Sequence, residues 1–457
     1  MLLTLLVLAV LHAIASLILG HRLATAVRAI KAKGEPVSVA QLGGPPVPVA
    51  ENAAVEYEKV FRWLTASENG RTLNVLGSVP YKADTNRVWR PDGTPPQRVL
   101  LPEAADRPTF WAEATQAAAA SDDIIPLVRR AAMMPRCRFE VRWQDGWDTQ
   151  FAHLARIRDL VKLLCARAVV KARVGNTSEA YESAVLALKL SRSVPNDPSL
   201  LVVLIQCGCT RDATDALLEV LTHGTPSRSH ARSLYDLLAS IDHGPAYVAA
   251  TKGDRALGLW AVEFTRREGY PAALGFSAVS LKLGDADPQR GPMYRCLAVL
   301  TRPLLYADAL VFLRHSERAI AAAPQPYRCA VYRELDKDAL RLPPYAILTR
   351  LGGPDIAPHC RRSVDTARAV SALAQVVLAA QQYKAAQGSY PTSLEALRRD
   401  GWKLPEDPFS GKDLVYKPAG QGFQVYSIGA NLRDDHGAAT GDVYREDGSD
   451  RVLFWRH

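Results

Sequence analysis

The chain lacks most of what recognisable chemistry requires. Its 10 histidines include no H-E-x-x-H and no two residues four apart, so a helical zinc-protease site is excluded. Gly275-Phe276-Ser277 misses the second glycine of a nucleophile elbow. Ser410-Gly411-Lys412 stands without the rest of a phosphate loop. The seven cysteines are an odd number and form no paired C-x-x-C motifs; Cys207-Gly208-Cys209 is the one close pair, so buried free thiols are expected. Charge of one sign is scarce too. Lys and Arg number 56 against 47 Asp and Glu, a net +9, too diffuse to imply a nucleic-acid partner.

Hydrophobic residues make up 48% and charged residues 23% of the 457, which excludes a wholly disordered chain and a polytopic membrane protein. There is one long apolar run, Leu2 to Leu19, with only Thr4, His12 and Ser16 polar. Eighteen residues at ~1.5 Å reach ~27 Å, enough for a hydrocarbon core of about 30 Å. We read residues 1–33 as a membrane anchor, contacting lipid through residues 2–19. A cleaved secretory signal, with Ala13-Ile14-Ala15 as its small-residue site, and a buried soluble helix are the alternatives. Arg22, Arg28, Lys31 and Lys33 follow the run, and by the positive-inside rule they favour a cytoplasmic body.

Residues 34–54 carry Pro36, Pro45, Pro46, Pro48 and Gly43-Gly44, which predicts a linker lifting the body off the bilayer. Residues 55–241 form a first helical region with a Pro-rich loop over 78–108. Within it Ile157, Leu160, Val161, Leu164, Ala168 and Lys171 recur at helical spacing, Gly175-Asn176 stops that helix, and Ala180, Ala184, Ala187 and Leu188 line the next. This hairpin, 154–193, resembles a tetratricopeptide unit; a non-repeating helical bundle is the other reading. Cys137 to Trp143 is a short strand or an extended arm. Trp143, Trp147 and Phe151 near Arg138 and Arg142 are packing anchors or an aromatic-basic patch. Residues 242–360 make a second helical region.

The last stretch, 361–457, has a different character. Ala367, Val370, Leu373, Val377 and Ala380 mark one long helix over 363–387, ended by Gly388. Thr392-Ser393-Leu394-Glu395 opens a short helix. Leu414–Lys417 and Phe423–Ile428 read as a strand hairpin, with Arg451–Trp455 as a closing strand. The ordered string Tyr383, Gly388-Ser389-Tyr390-Pro391, Leu404-Pro405-Glu406-Asp407-Pro408, Leu414-Val415-Tyr416, Gly422-Phe423 and Val425-Tyr426-Ser427-Ile428-Gly429-Ala430-Asn431 resembles the globular domain of type II secretion major pseudopilins, relatives of type IV pilins. In those proteins the hydrophobic helix runs directly into this domain. Here residues 20–362 intervene, so fibre assembly is not implied. The whole layout is similar to uncharacterised bacterial membrane-anchored proteins with a helical middle.

The resemblance implies a small α+β module with an antiparallel sheet. It also implies calcium in the loop after the second strand, held by Asn431, Asp434, Asp435 and Asp442. It places the body on the extracytoplasmic side of a bacterial inner membrane, against the charge rule. The expected whole is a mainly α protein: a transmembrane helix, a bundle or tetratricopeptide-like middle and a pilin-like tail. The expected role is non-enzymatic, an interaction or scaffold protein with protein partners at the cell envelope. An envelope hydrolase with an unrecognised site in the helical region, which paired carboxylates in a pocket would support, and an accessory component of a type II secretion-like apparatus, are the alternatives.

Overall fold

The computed structural model describes residues 2–81, 109–193, 197–270, 292–420, 422–437 and 451–456. The protein is mainly helical. Helix α1 (Leu2–Ala32) is followed by α2 (Ala53–Thr65), α3 (Gly70–Gly77), α4 (Phe110–Ala120) and α5 (Ile125–Ala131). The middle contains α6 (Ala152–Arg173), α7 (Thr177–Ser193), α8 (Leu200–Leu221), α9 (Arg228–Ala239) and α10 (Gly244–Glu268). Then come α11 (Pro292–Leu300), α12 (Arg302–Ala322), α13 (Ala330–Leu340), α14 (Ile347–Leu351), α15 (Ile356–Gln387) and α16 (Leu394–Arg399). Strands β1 (Val415–Ala419), β2 (Gly422–Ser427) and β3 (Arg451–Arg456) form an antiparallel sheet in the order β1-β2-β3.

Helices α6 and α7 form the expected hairpin, turned by Gly175 at φ 81°, and α8 packs against both. The stripes that define the hairpin in the sequence meet inside it: Ile157, Leu160, Leu164, Ala168, Ala180, Ala184 and Ala187 are all buried. Arg167 shares that interior. Its guanidinium reaches Asp122 at 2.6 Å and Glu179 at 2.9 Å, so the buried charge is answered on two sides.

Helix α15 runs through the centre. The expected stripe Ala367, Val370, Leu373, Val377 and Ala380 is buried, and so is most of the rest of the helix. It packs on α8 and α9 and, further along, on β2 and β3. It starts at Ile356, seven residues before the sequence pattern begins, because Pro358 sits in the first turn, where its missing N–H costs nothing. One apolar cluster therefore joins Val60, Leu164 and Leu217 to Leu373, Val377 and Phe423.

The module at the C-terminal end is stitched by the residues of its motif string. Asp407, itself buried, accepts from the Ser427 hydroxyl at 2.7 Å and from the Phe409 amide at 3.1 Å. Tyr416 donates to the Pro391 carbonyl at 2.7 Å, and Phe423 packs on Tyr390 and Tyr416. The hairpin register pairs Tyr416 with Val425 and Ala419 with Gly422.

The segment expected to be a linker does not extend away. Val39 and Leu42 are buried against Trp143 and Ala256. Glu35 pairs with Lys252 at 3.0 Å and with buried Arg255 at 2.9 Å. Its prolines and glycines shape a fold-back onto α10 in place of an extended stalk. Burial raises the Glu35 carboxyl, but Lys252 and Arg255 outweigh it and hold it below its usual range.

Candidate functional site

Two hollows flank the arm between α5 and α6, residues 132–151. The arm is extended only over 136–142, where among the described residues its one β-pairing is an isolated bridge from Asn52 to Arg136, and it then closes into a 3-10 turn over Trp143–Asp148. Asn52 fixes it. Its side chain caps α2 by accepting from the Ala54 amide, donates to the Arg138 carbonyl at 2.9 Å and accepts from the Arg138 amide at 2.8 Å. Phe139 is stacked between Phe61, at 5.6 Å, and His153, at 4.5 Å. Gly146, at φ 60°, lies so close to the Trp260 ring that a Cβ would stand 2.3 Å from it.

The arm divides the residues that the sequence offers as an aromatic-basic patch. Trp143 is buried and packs edge-on to Phe151 at 5.5 Å. Arg142 turns outward to Asp145. Trp147 and Phe151 line one hollow, and Arg138 lines the other. The five side chains do not form one surface.

The first hollow is a cleft of about 700 Å³ between residues 42–47, the arm and the end of α7. Four cations line it, Arg136, Arg138, Lys189 and Arg192, against one carboxyl, Asp197. Arg138 donates to the Pro45 carbonyl, Arg192 to the Ser240 hydroxyl at 3.2 Å, and Arg136 faces exposed Glu51 at 3.7 Å. Burial pushes Asp197 up to about 6, with Arg138 pulling the other way. His153 Nε2 stands 3.6 Å from Asp197 Oδ2, and burial lowers the imidazole to about 4. Burial, with a smaller push from Asp197, raises the Cys137 thiol to about 12. A thiol held protonated in this way is no nucleophile at neutral pH.

The second hollow, of about 390 Å³, is apolar: Trp147, Phe151, Leu257, Val262, Phe312 and Leu348 contribute to its wall. Its one carboxyl is Asp254 of α10. Asp254 accepts from the Leu200 amide at 3.3 Å, at the N-terminus of α8. Burial raises it to about 7, partly offset by that amide and the Ser199 hydroxyl. Among the described residues no other acidic side chain lines either hollow. The two-carboxylate arrangement of glycoside hydrolysis is thus not formed by the lining of either one. Asp254, Asp197 and His153 carry no motif in the sequence; only the fold brings the two carboxyls to a cavity and His153 behind one of them.

Of the residues expected to hold calcium, Asn431, Asp434 and Asp435 lie in the turn after β2, and Asp442 lies outside the described residues. The Asn431 amide donates to Asp435 Oδ2 at 2.8 Å and its oxygen accepts from the Arg433 amide at 3.0 Å. Asp434 Oδ1 accepts from the Tyr426 hydroxyl at 3.1 Å and from the His436 amide at 2.8 Å. Calcium takes six to eight oxygens. These three groups supply part of such a set. Among the described residues no three His, Cys, Asp or Glu side chains converge. All seven cysteines are free.

Helix α1 is long and apolar enough to cross a membrane. Comparison with protein-family models, with curated proteins and with solved structures finds no match.

Proposed function

We propose that this chain is a membrane-anchored binding protein of the bacterial envelope, with α1 in the inner membrane and the body outside the cytoplasm. Its basic cleft takes an acidic segment of a protein partner. The observation that carries this reading is the lining of the cleft: four cations and one carboxyl raised by burial. Long-range attraction of this kind speeds encounter and is screened by salt. The tetratricopeptide-like hairpin supplies a wall of that cleft through α7. The pilin-like module braces the far side of the body through α15. A calcium ion in its acidic loop belongs to the same reading, with Asn431, Asp434, Asp435 and Asp442 as partial donors.

The test uses the full chain in nanodiscs and a fluorescent oligo-glutamate peptide as the probe. Binding that weakens with added salt, and weakens at least tenfold in the Arg136→Glu, Arg192→Glu double variant, supports the proposal. Absence of binding at low salt, or binding indifferent to those two charges, refutes it.

A further inference from the structure

We propose that the α11–α12 corner enters the hydrocarbon beside α1 as a second membrane contact. This rests on the reading that α1 spans the bilayer. Helices α1 and α12 run parallel, and their contacts fix the register. His12 Nε2 bonds the Leu300 carbonyl at 3.1 Å. Gly20 lies against the Tyr306 ring, where a Cβ would come within 3.0 Å. Ile30 packs with Leu313, and Lys33 pairs with Glu317 at 3.0 Å. Leu300 is therefore level with His12. Seven residues separate His12 from Leu19, the end of the apolar run, or ~10 Å along the helix. The corner is carried below the hydrocarbon boundary by about that depth.

Its surface suits such a place. Leu297, Val299, Leu300 and Leu304 are 38%, 47%, 68% and 39% exposed, and the small Ala298 between them is buried. Four large aliphatic side chains in eight residues form a patch that water disfavours and lipid accepts. Hydrocarbon also demands that backbone groups find partners inside the protein. Here they do. The Leu297 carbonyl accepts from both the amide and the hydroxyl of Thr301, at 2.9 and 2.8 Å. The Leu300 carbonyl accepts from His12, and the Thr301 carbonyl from the Leu305 amide at 3.0 Å. The corner turns a one-point anchor into a two-point one and sets the rotation of the body about the membrane normal.

The experiment uses the full chain with Cys137, Cys296 and Cys329 replaced by serine. It is labelled with an environment-sensitive fluorophore at Leu300→Cys or, separately, at Val10→Cys, and placed in vesicles of phosphatidylethanolamine and phosphatidylglycerol. Acyl-chain spin-labelled lipid is expected to quench both labels strongly, and aqueous iodide neither. Quenching at Val10 with iodide-sensitive fluorescence at Leu300 would overturn the second contact and leave the anchor standing. A Leu300 label shielded from both quenchers would also overturn it, because protein would then cover the patch. Iodide sensitivity at both positions would overturn the anchor and this inference together.

Discussion

Helices α1 and α15 are nearly the same length, 31 and 32 residues, and they use it in opposite ways. Helix α1 carries the most apolar run of the chain and buries one residue, Ile30. Helix α15 has polar side chains scattered through it and buries 21. Alanines let neighbouring helices come close on several sides of α15. Its buried amides are aimed at the ends of other elements: Gln381 donates to the Leu221 carbonyl at 3.0 Å and Gln382 to the Pro226 carbonyl at 2.8 Å. Its buried Asp365 is paired with Arg361. Hydropathy alone thus ranks the two helices backwards for burial. Most buried polar groups of α15 find partners, although the Ser371 hydroxyl and Gln381 Oε1 find none among the described residues.

Four substitutions break or sharpen that comparison in the detergent-solubilised full chain. Leu373→Ala, in the middle of α15, is expected to cost about 3 kcal/mol by leaving a cavity, read as a lower denaturation midpoint. Gln382→Leu comes next, at about 1–2 kcal/mol, because it strands a buried carbonyl. Should it prove neutral, the amide is packing filler and the contrast loses its polar half. A pH-dependent effect concerns a carboxyl that, unlike Asp365, has no cation paired with it among the described residues. Asp254 holds its proton up to about 7 in the fold, well above the ordinary 3.8. The folded state then binds more protons than the unfolded chain, so stability falls as pH rises from 4 through 7. Asp254→Asn keeps the acceptor for Leu200 and removes the charge; its midpoint should exceed that of the wild type at pH 8 and match it at pH 4. Parallel slopes for the two proteins would mean Asp254 is solvated. The smallest effect is expected from Leu6→Ala, at an exposed site of α1, with a shift within about 0.5 kcal/mol. A loss comparable to Leu373→Ala would show that the apolar run packs on protein after all.

The helices were the legible part of the molecule. Periods of three and four residues mark α6, α7 and α15, and Gly175 and Gly388 mark their ends, because a stripe of side chains and a left-handed stop are local properties. The hairpin of β1 and β2 is equally local. The fold-back of residues 34–52 was not legible: prolines report only that regular structure stops, and the deciding interactions are Glu35 with Lys252 and Arg255, more than 200 positions away. The double role of Asn52 is hidden for the same reason. The cavity groups Asp197, His153 and Asp254 stand in ordinary helical or loop context, and nothing near them in the sequence predicts their burial. The acidic loop shows the converse. Its carboxylates are conspicuous in the sequence, yet the bonds of Asp434 to the Tyr426 hydroxyl of β2 and of Asn431 within the turn are not.

The clamp where α1 meets the body has a mechanical meaning. Arg255 lies buried between Glu35 and Glu317, and Lys33 holds Glu317 from the other side. The chain leaves α1 and is locked at once to α10 and α12. A tether of this build has no slack: any displacement of the end of α1 is passed directly to α10 and α12.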